Sequence, residues 1–283
     1  MKSENIITIV LISHKSTNNV LKFVEGLSAK YDILVIDNSN DNILKEKLKN
    51  KINVKFHTSK NRGYGAAINY ASNLIKTEYF FVFNPDILNI NDKFIDLFCD
   101  KAKYLRNDFL CIGPRYLNVN EKSHKQSNIK IKIAKISAIN GACMLINKKS
   151  FNLLNGFDEN IFLFFEENDL CKRGLKKGLN VYQINEISVV HASGTSVEVN
   201  SEKEKKQLIS LRNWHYVWSK FYFYRKHYGF FLTLIYFIPT LIRMLFRIFI
   251  YSLTKNEEKK NKFAVRLNAL LNAIKGLNSS MRI

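Results

Sequence analysis

Four short apolar runs in the first third of the chain, each closed by polar residues, constrain its fold more than any other feature. Ile6–Ile12 is a run β-branched at every position but Leu11, Ile33–Ile36 ends at Asp37, Val54–Phe56 is shorter, and Tyr79–Phe83 is mostly aromatic. Runs of this length without alternation suit strands buried on both faces. Val20, Leu21, Val24 and Leu27 recur at helical spacing between the first two, and Ala66–Ile75 reads as a helix beginning just after Gly63 and Gly65. Strand and helix in alternation predict βαβ units and a mostly parallel sheet, an α/β fold. Ligands of such sheets bind beyond the carboxyl ends of the strands. Asp37, Arg62 and Asp86 all fall at or just after predicted strand ends.

The pattern loosens from Arg115 to Lys135, a polar, basic stretch expected to be a loop. It resumes with a strand at Ala142–Ile146, a helix from Glu166 to Lys177, and a strand at Ile187–Val190 that ends at His191. The start, MKSENIITIVLISHKS, lacks a small-residue cleavage site and is read as the first strand, not a signal peptide. After Ser201 the chain turns helical, aromatic and basic. Its 283 residues suit one large α/β domain, 1–200, with halves 1–115 and 116–200, and an appended region, 201–283.

The formal charge is +20, and from Ser201 onward sixteen Lys and Arg face four Asp and Glu, so +12 of it lies in the last third. That asymmetry favours an interaction tail for an anionic partner. The four cysteines form no CxxC pair. They are expected as small buried side chains in a reducing cytoplasm, without a zinc ribbon or disulfide framework.

Several stretches could carry chemistry, each with a plainer alternative. Asp37 opens Asp37-Asn38-Ser39-Asn40-Asp41 and could accept hydrogen bonds from a nucleobase or ribose, or simply start a turn. Asn61-Arg62-Gly63-Tyr64-Gly65 precedes a helix whose N-terminus favours anions, and Arg62 could hold a diphosphate. It fails the GxGxxG dinucleotide pattern at Ile68 and could be a glycine turn. Asn84-Pro85-Asp86 offers one carboxylate for Mg²⁺ or Mn²⁺, or a turn. Glu166, Glu167 and Asp169 follow Phe162-Leu163-Phe164-Phe165. Acids there suit a helix start, but beside apolar walls they also become general bases. His191 is a metal ligand only if the fold brings Asp86 beside it.

Taken in order, ILVIDNSND, NRGYGAAIN, FVFNPD, NGACMLI, NGFDENIFLFFEENDLCKRG and VVHASGTS resemble glycosyltransferase family 2, and most closely its rhamnosyltransferase-like branch of surface polysaccharide synthesis. The stretches span about residues 6 to 196. The resemblance implies a GT-A fold, a Rossmann-like mixed, mostly parallel sheet flanked by helices. Residues 1–115 would be the nucleotide-binding half and 116–200 the acceptor and base half. It implies an inverting, metal-dependent transferase that uses a nucleotide-sugar donor, dTDP-rhamnose or another hexose or galactofuranose donor, and a glycan or lipid-linked glycan acceptor. By position, Asp37, Arg62 and Asn84 would serve the nucleotide, and Asp86 and His191 the Mg²⁺ or Mn²⁺. Glu167 would be the base. Two departures stand out: Asn84 replaces the first aspartate of the DxD pattern, and the acidic pair reads Glu166-Glu167, which leaves Asp169 a rival base. An inactive sugar-nucleotide-binding subunit is the alternative.

Phe230–Ile242 is uncharged but too short to span a bilayer, and extending it to Leu253 includes Arg243 and Arg247. With Trp214, Trp218, Tyr222, Tyr224 and Tyr228 ahead of it, an amphipathic helix on an anionic membrane surface is expected. The expected place is peripheral, on the cytoplasmic face of a bacterial inner membrane. A helical hairpin packed on the catalytic domain is the plainer alternative. Nucleic acid is disfavoured, because no RNA-binding motif accompanies the basic residues.

Overall fold

The computed structural model describes residues 6–106, 108–117, 126–192 and 194–282. The chain divides into two compact units, Met1–Asp158 with Glu167–Glu198, and Glu159–Glu166 with Val199–Ile283. The first is built on a nine-stranded sheet in the order β3-β2-β1-β4-β8-β6-β9-β5, with β7 paired to β9. The strands are β1 Ile7–Ser13, β2 Asp32–Asp37, β3 Val54–Thr58, β4 Tyr79–Phe83, β5 Ile87–Leu88, β6 Cys111–Tyr116, β7 Ile133–Lys135, β8 Cys143–Asn147 and β9 Val181–His191. The first four run parallel, β8 is antiparallel to β4 and β6, and β6 is parallel to β9.

Side-chain alternation along the central strands feeds two cores, one on each face. Ile9, Leu11, Val35, Phe81 and Phe83 pack with Val20 and Phe23 of α1 (Thr17–Glu25), Leu44 of α2 (Asn42–Leu48) and Phe98 of α4 (Asp92–Tyr104). Val10, Ile12, Ile36, Phe80 and Val82 pack with Ile68 of α3 (Tyr64–Leu74), Phe151 of α5 (Lys148–Leu153) and Leu170 of α6 (Glu166–Lys176). Each large apolar side chain removed from water contributes about 1.5–3 kcal/mol, so the uninterrupted runs are explained by burial on both faces.

The expected loop from Arg115 to Lys135 needs correction. Arg115 and Tyr116 end β6, and residues 133–135 form β7 against β9. Arg115 hides its charge by donating from Nη1 to the Ser127 carbonyl, 3.0 Å away. Residues 118–125 of that stretch, and Ser193 of the VVHASGTS motif, lie outside the described residues. The last strand begins at Val181, six residues before the expected Ile187, and its register against β6 shifts between Pro114 and Arg115. That irregularity leaves residues 185–187 of β9 without partners on β6 and breaks the pattern.

The second unit contains α7 (Glu202–Tyr228), α8 (Phe230–Leu253) and α9 (Glu257–Ile274). Trp214, Trp218 and Phe221 of α7, Phe237 and Met244 of α8, and Ala269, Leu270 and Ala273 of α9 share one core. Residues 159–166 are held on α7: Ser219 donates to the Leu163 carbonyl at 2.8 Å, and the rings of Phe162 and His215 are 4.6 Å apart. By length and composition α8 could cross a membrane.

Candidate active site

The sheet runs β1, β2, β3 to one side, and β4 returns on the other side of β1. Such a reversal opens a crevice at the carboxyl ends of the strands. Asp37 closes β2 there, opposite Ser13 at the end of β1. Its carboxylate is fully buried. It accepts from Ser39 Oγ at 2.7 Å, from Ser39 N at 3.1 Å and from Asp41 N at 2.9 Å. The Asp-Asn-Ser run is therefore an ordered turn held by the aspartate itself. His14 follows β1 beside it, and burial pushes its imidazole below the usual value while the Asn38 backbone and Asp37 oppose the shift.

Arg62 is exposed, one residue before Gly63, whose φ of 109° lies in the region open to glycine. That turn starts α3, whose first residue, Tyr64, donates its hydroxyl to the Gly141 carbonyl at 2.8 Å. Asn84 leaves β4, its N–H donating to the Ala142 carbonyl at 2.8 Å. The β5–β9 pairing sets Ile87 opposite His191, and Ala192 N–H donates to the Asp86 carbonyl at 3.0 Å. Asp86 and His191, 105 residues apart, thus become neighbours, with His191 Nε2 3.1 Å from Asp86 Oδ1. Asp86 is 2% exposed. Its second oxygen, Oδ2, is buried with no hydrogen-bond partner among the described residues. A buried orphan acceptor costs about 1–3 kcal/mol, more when charged, and calls for an explanation. One carboxylate oxygen and one imidazole nitrogen could supply two of about six ligands to Mg²⁺ or Mn²⁺, ions that take their remaining oxygens from phosphates and water. Among the described residues no third His, Cys, Asp or Glu completes it.

Glu167 is the second residue of α6. Burial pushes its carboxyl up to about 7, against hydrogen bonds from its own N–H and that of Asn168. Asn168 Nδ2 also donates to Glu167 Oε1 at 2.9 Å. The stem and carboxyl carbon of Glu167 lie 3.7–3.8 Å from where a Cβ on Gly141 would stand, so the acid rests on the backbone after Asn140. Asp169 faces other neighbours. It is fully buried, and Arg173 Nε sits 2.7 Å from its Oδ2. The same guanidinium donates to the Leu154 and Gly156 carbonyls, both at 2.7 Å. This clip fixes the turn after α5.

Tyr116, which the sequence pattern did not single out, joins these groups. It is buried, its ring lies 6.3 Å from that of His191, and its hydroxyl is held well above its usual pKa. Burial is the largest cause, followed by the charges of Cys143, Tyr64, Glu167 and Asp86. Both Asp86 and Glu167 are therefore within electrostatic reach of one phenol. Just ahead of α6, Phe164 and Phe165 have φ of 67° and 69°. Consecutive bulky residues rarely adopt this conformation.

The family-wide sequence pattern described as "Glycosyl transferase family 2" matches residues 8–165, more than half of the chain. The chain belongs to glycosyl transferase family 2. Two characterised relatives are similar to it. The low-salt glycan biosynthesis hexosyltransferase Agl10 of Haloferax volcanii is 23% identical over 208 residues, which span 65% of this chain and 66% of that protein. The rhamnosyltransferase WbbL of Escherichia coli K12 is 26% identical over 223 residues, 66% of this chain and 83% of that one. Among solved structures, the mannosyltransferase PcManGT of Pyrobaculum calidifontis, in complex with GDP-Man and Mn²⁺, superposes with a TM-score of 0.60 at 11% identity, covering 95% of this chain and 86% of its own. TarS of S. aureus (residues 1–349), in complex with UDP-GlcNAc, gives 0.54 at 13% identity, covering 96% and 92%. These likenesses establish the GT-A fold.

Proposed function

We propose that this family 2 member transfers a sugar from a nucleoside diphosphate sugar to a glycan acceptor, lipid-linked, in one displacement that inverts the anomeric carbon. The reading is carried by one juxtaposition: a buried Asp86–His191 pair with an orphaned oxygen and a carboxyl with a pKa near 7, both within electrostatic reach of Tyr116. Asp86 and His191 would hold a divalent cation, which would neutralise charge on the leaving diphosphate. Asp37 orders the loop that meets the base and ribose, and Asn84 follows β4 at the same end of the sheet. Arg62, exposed at the start of α3, meets the diphosphate. Glu167 takes the proton of the attacking hydroxyl. A carboxylate with a pKa near 7 is both substantially ionised at neutral pH and basic enough to accept it. Asp169 is already committed to Arg173, which favours Glu167 for that role.

The rhamnosyltransferase among the relatives supports dTDP-rhamnose as donor, and the hexosyltransferase supports another hexose. Calorimetry of the full chain with dTDP, UDP and GDP, each with and without Mn²⁺, identifies the nucleotide. Turnover of the matching nucleotide sugar with a glycan acceptor, followed by NMR of the new linkage, tests the rest. Metal-dependent binding without any turnover would favour an inactive binding subunit, and a retained anomeric configuration would refute the single displacement.

A further inference from the structure

The helical unit carries a surface that the transfer reaction does not use. The face of α8 formed by Phe231, Ile235, Ile242, Phe246, Phe249 and Leu253 is exposed, from 78% at Phe231 to 59% at Phe249. These positions follow the helical repeat and make one stripe along the whole helix. The opposite face, with Thr233, Phe237 and Met244, is buried against α7 and α9. By the same repeat, Arg243 and Arg247 fall on the border between the two stripes. An apolar stripe this long facing water requires a cover.

Beside the first turn of α8 lies a cleft of about 370 Å³, lined by Trp218, Tyr222, Arg225, Lys226, Gly276 and Asn278 among others. No acidic side chain lines it. The Trp218 and Tyr222 rings stack at 5.0 Å, and Trp218 Nε1 donates to the Leu277 carbonyl at 3.0 Å, which fixes the wall. The Arg225 guanidinium lies 5.5 Å over the Phe230 ring. It has no acid or hydrogen-bond partner among the described residues. At Gly276, φ is 75° and an added Cβ would stand 3.2 Å from Arg225 Nη1, so the turn leaves the guanidinium its room. Tyr224, Tyr228 and Tyr236 border a second, apolar hollow with Leu232.

We propose that the helical unit lies on an anionic bilayer, α8 sunk to the depth of its apolar stripe, and that the Arg225–Lys226 cleft receives the phosphate of a lipid head group. Three observations name this occupant. The last third of the chain carries +12, and each basic residue near an anionic surface adds to the attraction. Tyrosines gather at the start of α8, as at membrane–water interfaces. The cleft presents an unpaired, planar guanidinium, which binds phosphate oxygens in pairs. A helix whose inner face is packed on two charged helices lies along the surface, because their lysines and arginines are costly to carry into the bilayer centre.

The surface belongs to the helical unit alone, and binding is read without donor or turnover, so its failure leaves the transferase reading standing. The experiment is flotation of the full chain with vesicles of phosphatidylcholine alone, or doped with phosphatidate or phosphatidylglycerol to equal surface potential. The protein should float with both anionic vesicles and stay down with neutral ones, and phosphatidate should bind it more tightly. Arg225→Ala/Lys226→Ala should lose about tenfold in affinity for phosphatidate, the loss of one charge-assisted hydrogen bond, and with it the preference over phosphatidylglycerol. Lys203→Ala/Lys206→Ala, an equal charge change on exposed residues outside the cleft, should keep the preference. Ile235→Glu/Ile242→Glu/Phe249→Glu, all at exposed positions, should abolish flotation with unchanged circular dichroism and Tm. No preference for phosphatidate in the wild type, or equal loss from both paired variants, would overturn the cleft. Flotation that ignores lipid charge and salt, or a dimer that the triple glutamate variant dissociates, would overturn the surface: the stripe would then span the bilayer or cover a second copy.

Discussion

At the scale of single residues, the two acids of the site are set apart by what surrounds them. Asp86 keeps one oxygen on His191 and leaves the other without a hydrogen bond among the described residues, which is why it is proposed as a cation ligand. Asp86→Ala should abolish the Mn²⁺-dependent part of nucleoside diphosphate binding in calorimetry while circular dichroism is unchanged. His191→Ala should weaken the same increment by a smaller factor, since water can replace one nitrogen. Unchanged metal dependence in a folded Asp86→Ala protein would remove this pair from the metal site. Glu167 carries the opposite burden: burial raises its pKa to about 7, so its neutral form is favoured in the folded chain. As a base it must be ionised, and kcat/KM should rise with pH through about 7. Glu167→Gln should lower kcat by about a hundredfold or more, the low end for a general base, with donor affinity nearly unchanged, and should remove that limb. The stability effect has the opposite sign. A raised folded pKa favours the native state most below the ordinary carboxylate range, and that advantage is lost as pH rises through about 7. The Tm of Glu167→Gln relative to the wild type should therefore climb between pH 5 and pH 8; a constant difference would mean that the carboxyl is not desolvated.

At the scale of elements, the parts legible in the sequence are those specified locally. Strands β1, β2 and β4 announce themselves because helices cover both faces and the runs 9–12, 33–36 and 79–83 are apolar throughout. Strand β6 does not, since Gly113, Pro114 and Arg115 sit inside it and its register slips there. β5 is two residues long and exists only by pairing with β9. That pairing is what brings Asp86 to His191, which no spacing could reveal. Tyr116 has no pattern for a related reason: it is one tyrosine among thirteen, and its surroundings come from Glu167 and Asp86 arriving from distant elements. Asp169 shows the converse. It shares a helix turn with Glu166, but Arg173 at i+4 takes its carboxylate to clip residues 154–156. Arg173→Ala removes the ion pair of a buried carboxylate together with both carbonyl bonds and should cost about 3–5 kcal/mol in chemical denaturation. Asp169→Asn should also lower Tm, with donor affinity kept; a stable Asp169→Asn protein that binds donor and lacks turnover would instead move the base from Glu167 to Asp169.

At the scale of the whole molecule, each unit has a core of its own, and the chain crosses between them after Asp158, Glu166 and Glu198, the second crossing falling immediately before the proposed base Glu167. The probes for the two are separable. Both tryptophans of the chain, Trp214 and Trp218, lie in α7, so tryptophan emission reports the helical unit. Every residue proposed to meet donor or metal lies in the sheet unit. A ligand that binds only the native sheet unit stabilises it by about 2.7 kcal/mol at a hundred times its Kd. Thermal unfolding followed by far-ultraviolet circular dichroism should therefore shift upward with nucleoside diphosphate and Mn²⁺, while the midpoint of the tryptophan emission change stays in place. In the Asp86→Ala protein the dichroism shift should disappear as well. If emission and dichroism shift together in the wild type, the chain unfolds as one cooperative body. If neither shifts at saturating nucleotide with any of the three bases, the crevice beyond β1, β2 and β4 is not the nucleotide site.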